Sequence, residues 1–181
     1  IIIVARSVAR CCCANGAYGG GGGGGEVKYG PLTLQSAATY VFRAGAGTAA
    51  SANDTPTGEN GNGTPSFISS PLFTTVTAQG GGGGGTGGSN VPPNGGYGAP
   101  GGSGGGGGGD GGSGGDHDQP GGTSTAADAT DPEYYSFTGY GNVGGPSGPN
   151  RGAAGGGAGG TVQPISDKYP DPSRQYWPGV N

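Results

Sequence analysis

The sequence predicts a mainly β and irregular fold: a small antiparallel β module followed by a polyglycine II helix bundle, with little or no α-helix. Three observations predict it. Of 181 residues, 51 are glycine and 15 are proline, and only 29% are hydrophobic, too few for the layered apolar core of an ordinary domain of this length. Glycine stands in uninterrupted runs at 19–25, 80–85 and 104–109. Period-two alternation of apolar and polar residues marks strands within the first 80 positions.

Competing classes are weaker on physical grounds. Apolar-poor chains stay disordered when net charge is high, yet here the formal charge is only −4. A collagen triple helix demands glycine at every third position, and the block arrangement breaks that rule. Polyglycine II, by contrast, needs blocks. It winds three residues per turn with a rise of about 3.1 Å and makes no internal hydrogen bonds, so its N–H and C=O groups radiate outward. Without Cβ atoms, neighbouring helices approach closely and bond laterally. A six-glycine run makes about two turns, roughly 19 Å. Ordering glycine costs more backbone entropy than ordering any other residue, so only a dense array offsets it.

Taken in order, residues 1–79 form a β-rich module that includes the first glycine run. The opening IIIVARSVARCCCA is rich in β-branched residues and reads as a strand, its consecutive Cys11, Cys12 and Cys13 as small buried hydrophobes. Leu32 and Leu34 alternate around Thr33, and Tyr40 and Phe42 around Val41, which predicts two strands joined through QSAAT as a hairpin. Residues 51–65 are a loop by composition, and FISSPLFTTVTAQ reads as two short strands broken at Pro71. Residues 80–160 are the polyglycine II array with loops at its Asn, Asp, Ser and Pro clusters. Residues 161–181 are an extended tail rich in proline and aromatic residues. No methionine occurs, position 1 included, so a processed product or a piece of a longer chain is expected.

The succession of a glycine run at 19–25, EVKYGPLTLQSAATYVFRAGAG, the loop GENGNGTPSFISS and TTVTAQGGGGGG resembles the glycine-rich domain of bacteriophage tail-fibre and minor tail proteins. The likeness spans roughly residues 16–115, with GGPSGPNRGAAGGGAGG in the same style. It implies a non-enzymatic virion component of the tail tip or fibre, extracellular in action. Related adhesins hold polyglycine II helices in a sandwich and display loops for host-surface recognition. The expected partners are further copies of the chain, a trimer by analogy, other tail proteins, and a host receptor or polysaccharide. The alternative is a self-assembling extracellular glycine-rich protein that forms fibres by lateral backbone bonding.

Few residues carry candidate chemistry. GAGTAA at 45–50 fits a dinucleotide-binding spacing, but no helix pattern follows it, so no cofactor is expected. Asp110, Asp116 and Asp118, hard oxygen ligands around GGSGGDHD, are candidate calcium ligands, with solvated turns as the simpler reading. His117 is the sole histidine, and Asp128, Asp131 and Glu133 have nothing to fix a catalytic geometry, so no enzyme is expected. Tyr134, Tyr135, Phe137 and Tyr140 crowd into a stretch otherwise almost free of aromatics. They suit either a partner-binding surface or the core of that half. Tyr169, Tyr176 and Trp177, braced by prolines, are candidate grips on a neighbouring subunit, with a tail folded back on its own β module as the alternative. The pI of about 4.6 and scattered basic residues argue against nucleic acid. No apolar stretch is long enough for membrane insertion.

Overall fold

The structure, a computed structural model, describes residues 1–4, 19–47, 61–87, 96–109, 119–148 and 152–158. Seven short strands make two antiparallel sheets. The strands are β1 (Ile2–Val4), β2 (Val27–Tyr29), β3 (Val41–Arg43), β4 (Ser66–Ser70), β5 (Phe73–Ala78), β6 (Ala129–Asp131) and β7 (Tyr135–Tyr140). One sheet runs β1-β2-β7-β6 and the other β3-β4-β5. No helix occurs among the described residues. The β4–β5 hairpin turns at Pro71, where a residue without an N–H interrupts the ladder. The expected hairpin through QSAAT does not form as drawn. Leu32 bridges Tyr135 and β3 pairs with β4, so the two flanks of that turn join different sheets. Nor do both flanks become half-buried strands: Leu34, Val41 and Phe42 are exposed, and only Leu32 and Tyr40 pack partly buried against the core, because alternation marks a face without naming what covers it.

The small apolar core lies between the sheets. Ile3, Tyr135 and Phe137 supply it from one side, and Ile68, Phe73 and Val76 from the other. Phe73 meets Tyr135 edge-on at 5.4 Å, and Tyr135 stacks on Phe137 at 5.6 Å. Such pairs add about 1 kcal/mol each beyond area burial, which matters in so small a core. Burial, reinforced by Asp131, holds the Tyr135 phenol above its ordinary value of about 10. The unfolded chain therefore releases this proton first, so stability is intact below pH 10 and falls as pH rises through and beyond that value. Tyr135→Phe should lessen the alkaline loss in denaturant titrations; an unchanged slope would remove the phenol from the account.

The rest of the described chain is a bundle of glycine-rich extended segments, here called rods. They are rod 1 (20–25), rod 2 (80–86), rod 3 (96–101), rod 4 (103–109), rod 5 (119–124), rod 6 (142–147) and rod 7 (152–157). Rod 4 sits at the centre and bonds all six others. Its N–H groups at 104, 105 and 106 donate to Asn142, Ala99 and Gly21, and those at 107 and 108 return to Gly145 and Gly96, at 2.7–3.1 Å. Its carbonyls at 103, 104 and 105 accept from Gly82, Gly156 and Gly122, and those at 106 and 107 from Gly85 and Ala153. Donation thus cycles through rods 6, 3 and 1, while acceptance cycles through rods 2, 7 and 5. The repeat is three residues, the screw of polyglycine II.

The ring closes around this centre. Rod 1 bonds rod 2 (Gly20 to Gly85, Gly23 to Gly82), rod 2 accepts from rod 3 (Gly96 to Thr86, Ala99 to Gly83), and rod 3 donates to rod 5 (Gly98 to Pro120). Rod 6 donates to rod 5 (Gly144 to Gly122) and to rod 7 (Gly145 to Ala154), and rod 1 donates to rod 7 (Gly21 to Ala153, Gly24 to Gly156). Outer rods have one open side, and there side chains return. Tyr97 and Pro100, Pro120 and Thr123, Val143 and Pro146 are exposed pairs spaced three apart, flanked by buried or half-buried neighbours. Proline suits those positions because a solvent-facing position needs no lateral N–H and its fixed φ matches the helix. Rod 2 is glycine throughout 80–85 because its outer side is covered too: Gly63 donates to Gly81, and the Asn62 amide bonds Gly83 and Pro100. Among the described glycines φ is positive only at Gly25 (85°), where rod 1 turns into β2. Elsewhere the missing Cβ, not a special φ, is what glycine provides.

Sheets and bundle interleave along the sequence. Rod 1 runs into β2, rod 2 leaves β5, rod 5 leads to β6 and rod 6 leaves β7. At the joint lies a buried ion pair. Lys28 Nζ donates to Glu26 Oε1 at 2.7 Å, with the two side chains 5% and 1% exposed. Glu26 also accepts from the N–H groups of Ala127 (3.1 Å) and Gln79 (2.8 Å), and Lys28 donates to the Ala127 carbonyl. Gly139 faces this pair, and a Cβ there would lie 2.6 Å from Glu26 Oε1.

Candidate functional site

Among the described residues, two ends of the molecule stand out as places to meet a partner. At the sheet end away from the bundle, three turns enclose an open cleft of about 580 Å³. Gln35 to Thr39 form one wall, Pro71 and Leu72 another, and Glu133 and Tyr134 the third. The turns are fixed locally. Asp131 Oδ1 accepts from the N–H groups of Glu133 and Tyr134, and the Tyr40 hydroxyl accepts from the N–H of Gln35. Ala37 takes a φ of 65°, the left-handed region that a Cβ disfavours. Ala37→Gly should therefore stabilise the protein by up to about 1 kcal/mol in denaturant titrations; a loss would show that the alanine methyl holds the cleft wall.

The Tyr134 phenol stands above its ordinary value, first through desolvation and then through the neighbouring Glu133 and Asp131. Volume and composition, with Leu72 and Tyr134 beside amide, hydroxyl and carboxylate groups, suit a small polar ligand.

The other end is set by rod direction. Rods 2, 4 and 6 run away from the sheets, and rods 1, 3, 5 and 7 run toward them. The connections from 87 to 96, from 109 to 119 and from 148 to 152 therefore all leave and re-enter at the bundle end opposite the sheets. Asp110, Asp116, His117 and Asp118 belong to the second of these connections and lie outside the described residues. Among the described residues no group of three His, Cys, Asp or Glu could hold a metal. No helix there is long and apolar enough to cross a membrane.

The aromatic cluster divides. Tyr135 and Phe137 point inward from β7 and are core, and Tyr134 packs against that core while lining the cleft. Tyr140 points outward and is 45% exposed. Tyr29, on the neighbouring β2, is exposed on the same outer face; sequence reading passed over it, although Val27 and Tyr29 alternate around the buried Lys28. Cys11, Cys12, Cys13, Tyr169, Tyr176 and Trp177 lie outside the described residues.

No curated protein and no solved structure matches the sequence. A family model does, over residues 12–174, a span that takes in all seven rods and six of the seven strands. The chain belongs to the family described as the glycine-rich domain.

Proposed function

We propose that the protein is a non-enzymatic component of a phage tail tip or tail fibre, with the bundle as a rigid support that presents loops for host-surface recognition. The observation that supports this reading most is the common end of three chain connections: 87 to 96, 109 to 119 and 148 to 152. A centre bonded to six neighbours holds the roots of those connections in fixed relative positions. Loops on a rigid scaffold are where recognition commonly resides. Segment order, resembling tail-fibre glycine-rich domains, supplies the biological setting. Other tail proteins and further copies of this chain are the proposed neighbours, and a receptor or surface polysaccharide the proposed target.

The test replaces 110–118 with a glycine–serine linker of equal length and measures attachment of the purified chain to bacterial cells that wild type binds. Attachment should be lost while amide protection at 104–108 stays unchanged. Attachment that survives replacement of all three connections would overturn the presentation role. Tail-assembly genes beside the coding sequence are expected; their absence would overturn the virion setting.

A further inference from the structure

The outer face of the β1-β2-β7-β6 sheet is uncovered among the described residues. Tyr29 is 58% exposed and Tyr140 45%, with Ser136 and Thr138 on the same face, Thr138 directly opposite Tyr29. Where the chain goes after Ala158 bears directly on this face.

Rod 7 bonds rods 1 and 6 as well as the central rod 4. Rods 1 and 6 are continuous with the paired strands β2 and β7. The line through rods 1 and 6 therefore separates rod 4 from rod 7. Rod 4 lies on the same side as rod 2, which continues β5 of the opposite sheet. That is the core side. Rod 7 consequently lies on the outer side of the β2–β7 pair. It runs parallel to rod 1, toward the sheets, and ends level with Gly24, which donates to Gly156, and with Asn142, whose side-chain amide donates to Gly157. A chain leaving rod 7 in this direction is aimed along the exposed face.

We propose that residues 159–181 strap the outer face of the four-stranded sheet of their own chain, placing their aromatic residues against Tyr29 and Tyr140. Reach is ample, because the strap has more than three times the residues of β7, the longest strand it must cross. Prolines 164, 170, 172 and 178 restrict the free segment, which lowers the entropy lost on docking. Val162, Ile165, Tyr169, Tyr176 and Trp177 supply apolar surface complementary to the two exposed rings. The strap is independent of the virion setting, since it follows from where rod 7 ends.

Trp177 is the only tryptophan, so intrinsic fluorescence of the full chain reports on the strap alone. Its emission should be blue-shifted from the value in denaturant, and trypsin should cut slowly after Lys168 and Arg174. The double variant Tyr29→Ser, Tyr140→Ser alters only exposed side chains. It should shift the emission to the red and speed both cleavages about tenfold, the effect of losing roughly 1.4 kcal/mol of docking. Three results would each overturn the proposal. These are solvent-like emission in wild type, a double variant identical to wild type in both readouts, or a blue shift that vanishes on dilution, which would hand the strap to a second copy.

Discussion

Alanine at Gly105 or Gly106 should unfold the bundle, and with it most of the protein. The Cβ of residue 105 would lie 1.9 Å from the Gly83 carbonyl oxygen, and that of residue 106 would lie 2.2 Å from the Ala153 oxygen. Both obstacles are backbone held by lateral bonds, Gly83 to Ala99 and the Asn62 side chain and Ala153 to Gly21, so neither can yield as a side chain would. The neighbours repeat the pattern: 104 meets Gly122, 107 meets Gln119 and 108 meets Thr86, each below 2.3 Å. Successive Cβ positions point to rods 5, 2 and 7 in turn, so no register shift of rod 4 finds an open side. Relief requires pushing a rod outward and breaking several lateral bonds, each worth about 1 kcal/mol net. A loss of about 4 kcal/mol or more is expected, a large share of the stability of a domain this size. Urea titration should show the midpoint collapse for Gly105→Ala. Alanine in place of exposed Tyr97 or Pro100, on the open side of rod 3, should cost less than about 1 kcal/mol. Equal losses at the two kinds of position would mean that rod 4 is not enclosed.

The second large effect is expected at the joint. Lys28→Met leaves the Glu26 carboxylate buried without its counter-charge, and removing one partner of such a pair costs about 3–5 kcal/mol. Glu26→Gln should be nearly as damaging for a different reason. The carboxylate accepts from two backbone N–H groups, those of Gln79 and Ala127, besides Lys28. A carboxamide has one acceptor oxygen, so it must turn its NH2 toward one of these donors. Combining the two substitutions should cost clearly less than their sum, because the second removes a partner already lost. Strict additivity in a double-mutant cycle would show that the pair is not coupled. Because Gln79 directly follows β5 and Ala127 precedes β6, this cluster ties both sheets to the bundle at one point. Its loss should release them together in a single transition.

Much of this architecture was legible in the residues, and the illegible part has physical causes. Runs at 80–85 and 104–109 announced rods because enclosed helices need glycine at every position, and the run at 19–25 announced rod 1, although Gly24 there is exposed and a Cβ on it would meet nothing nearer than 3.6 Å. Rods 3, 5 and 6 were hidden because one side of each is open, so Tyr97, Pro100, Pro120, Thr123, Val143 and Pro146 interrupt their glycines. The signal was there as a three-residue spacing of side-chain-bearing positions too short for periodicity to stand out. The β4–β5 hairpin was readable from FISSPLFTTVTAQ because its pairing is local. The pairing of β2 with β7 spans more than a hundred residues, and nothing in either strand names its partner. Tyr135 and Phe137 alternate with Ser136 and Thr138, a strand signal that the crowding of aromatics there obscured, whereas the cleft depends on three turns meeting in space.

One measurement bears most directly on the six-around-one bundle: scalar couplings transmitted through hydrogen bonds, observed by NMR between the amide nitrogens of rod 4 and carbonyl carbons elsewhere. The structure predicts three distinct partners in succession, Gly104 to Asn142, Gly105 to Ala99 and Gly106 to Gly21, then a return to Gly145 and Gly96 from Gly107 and Gly108. All five amides should also exchange with solvent at the slowest rate in the protein. Couplings confined to two alternating partners would indicate an ordinary sheet, and rapid exchange without couplings an unstructured run; either would contradict the account.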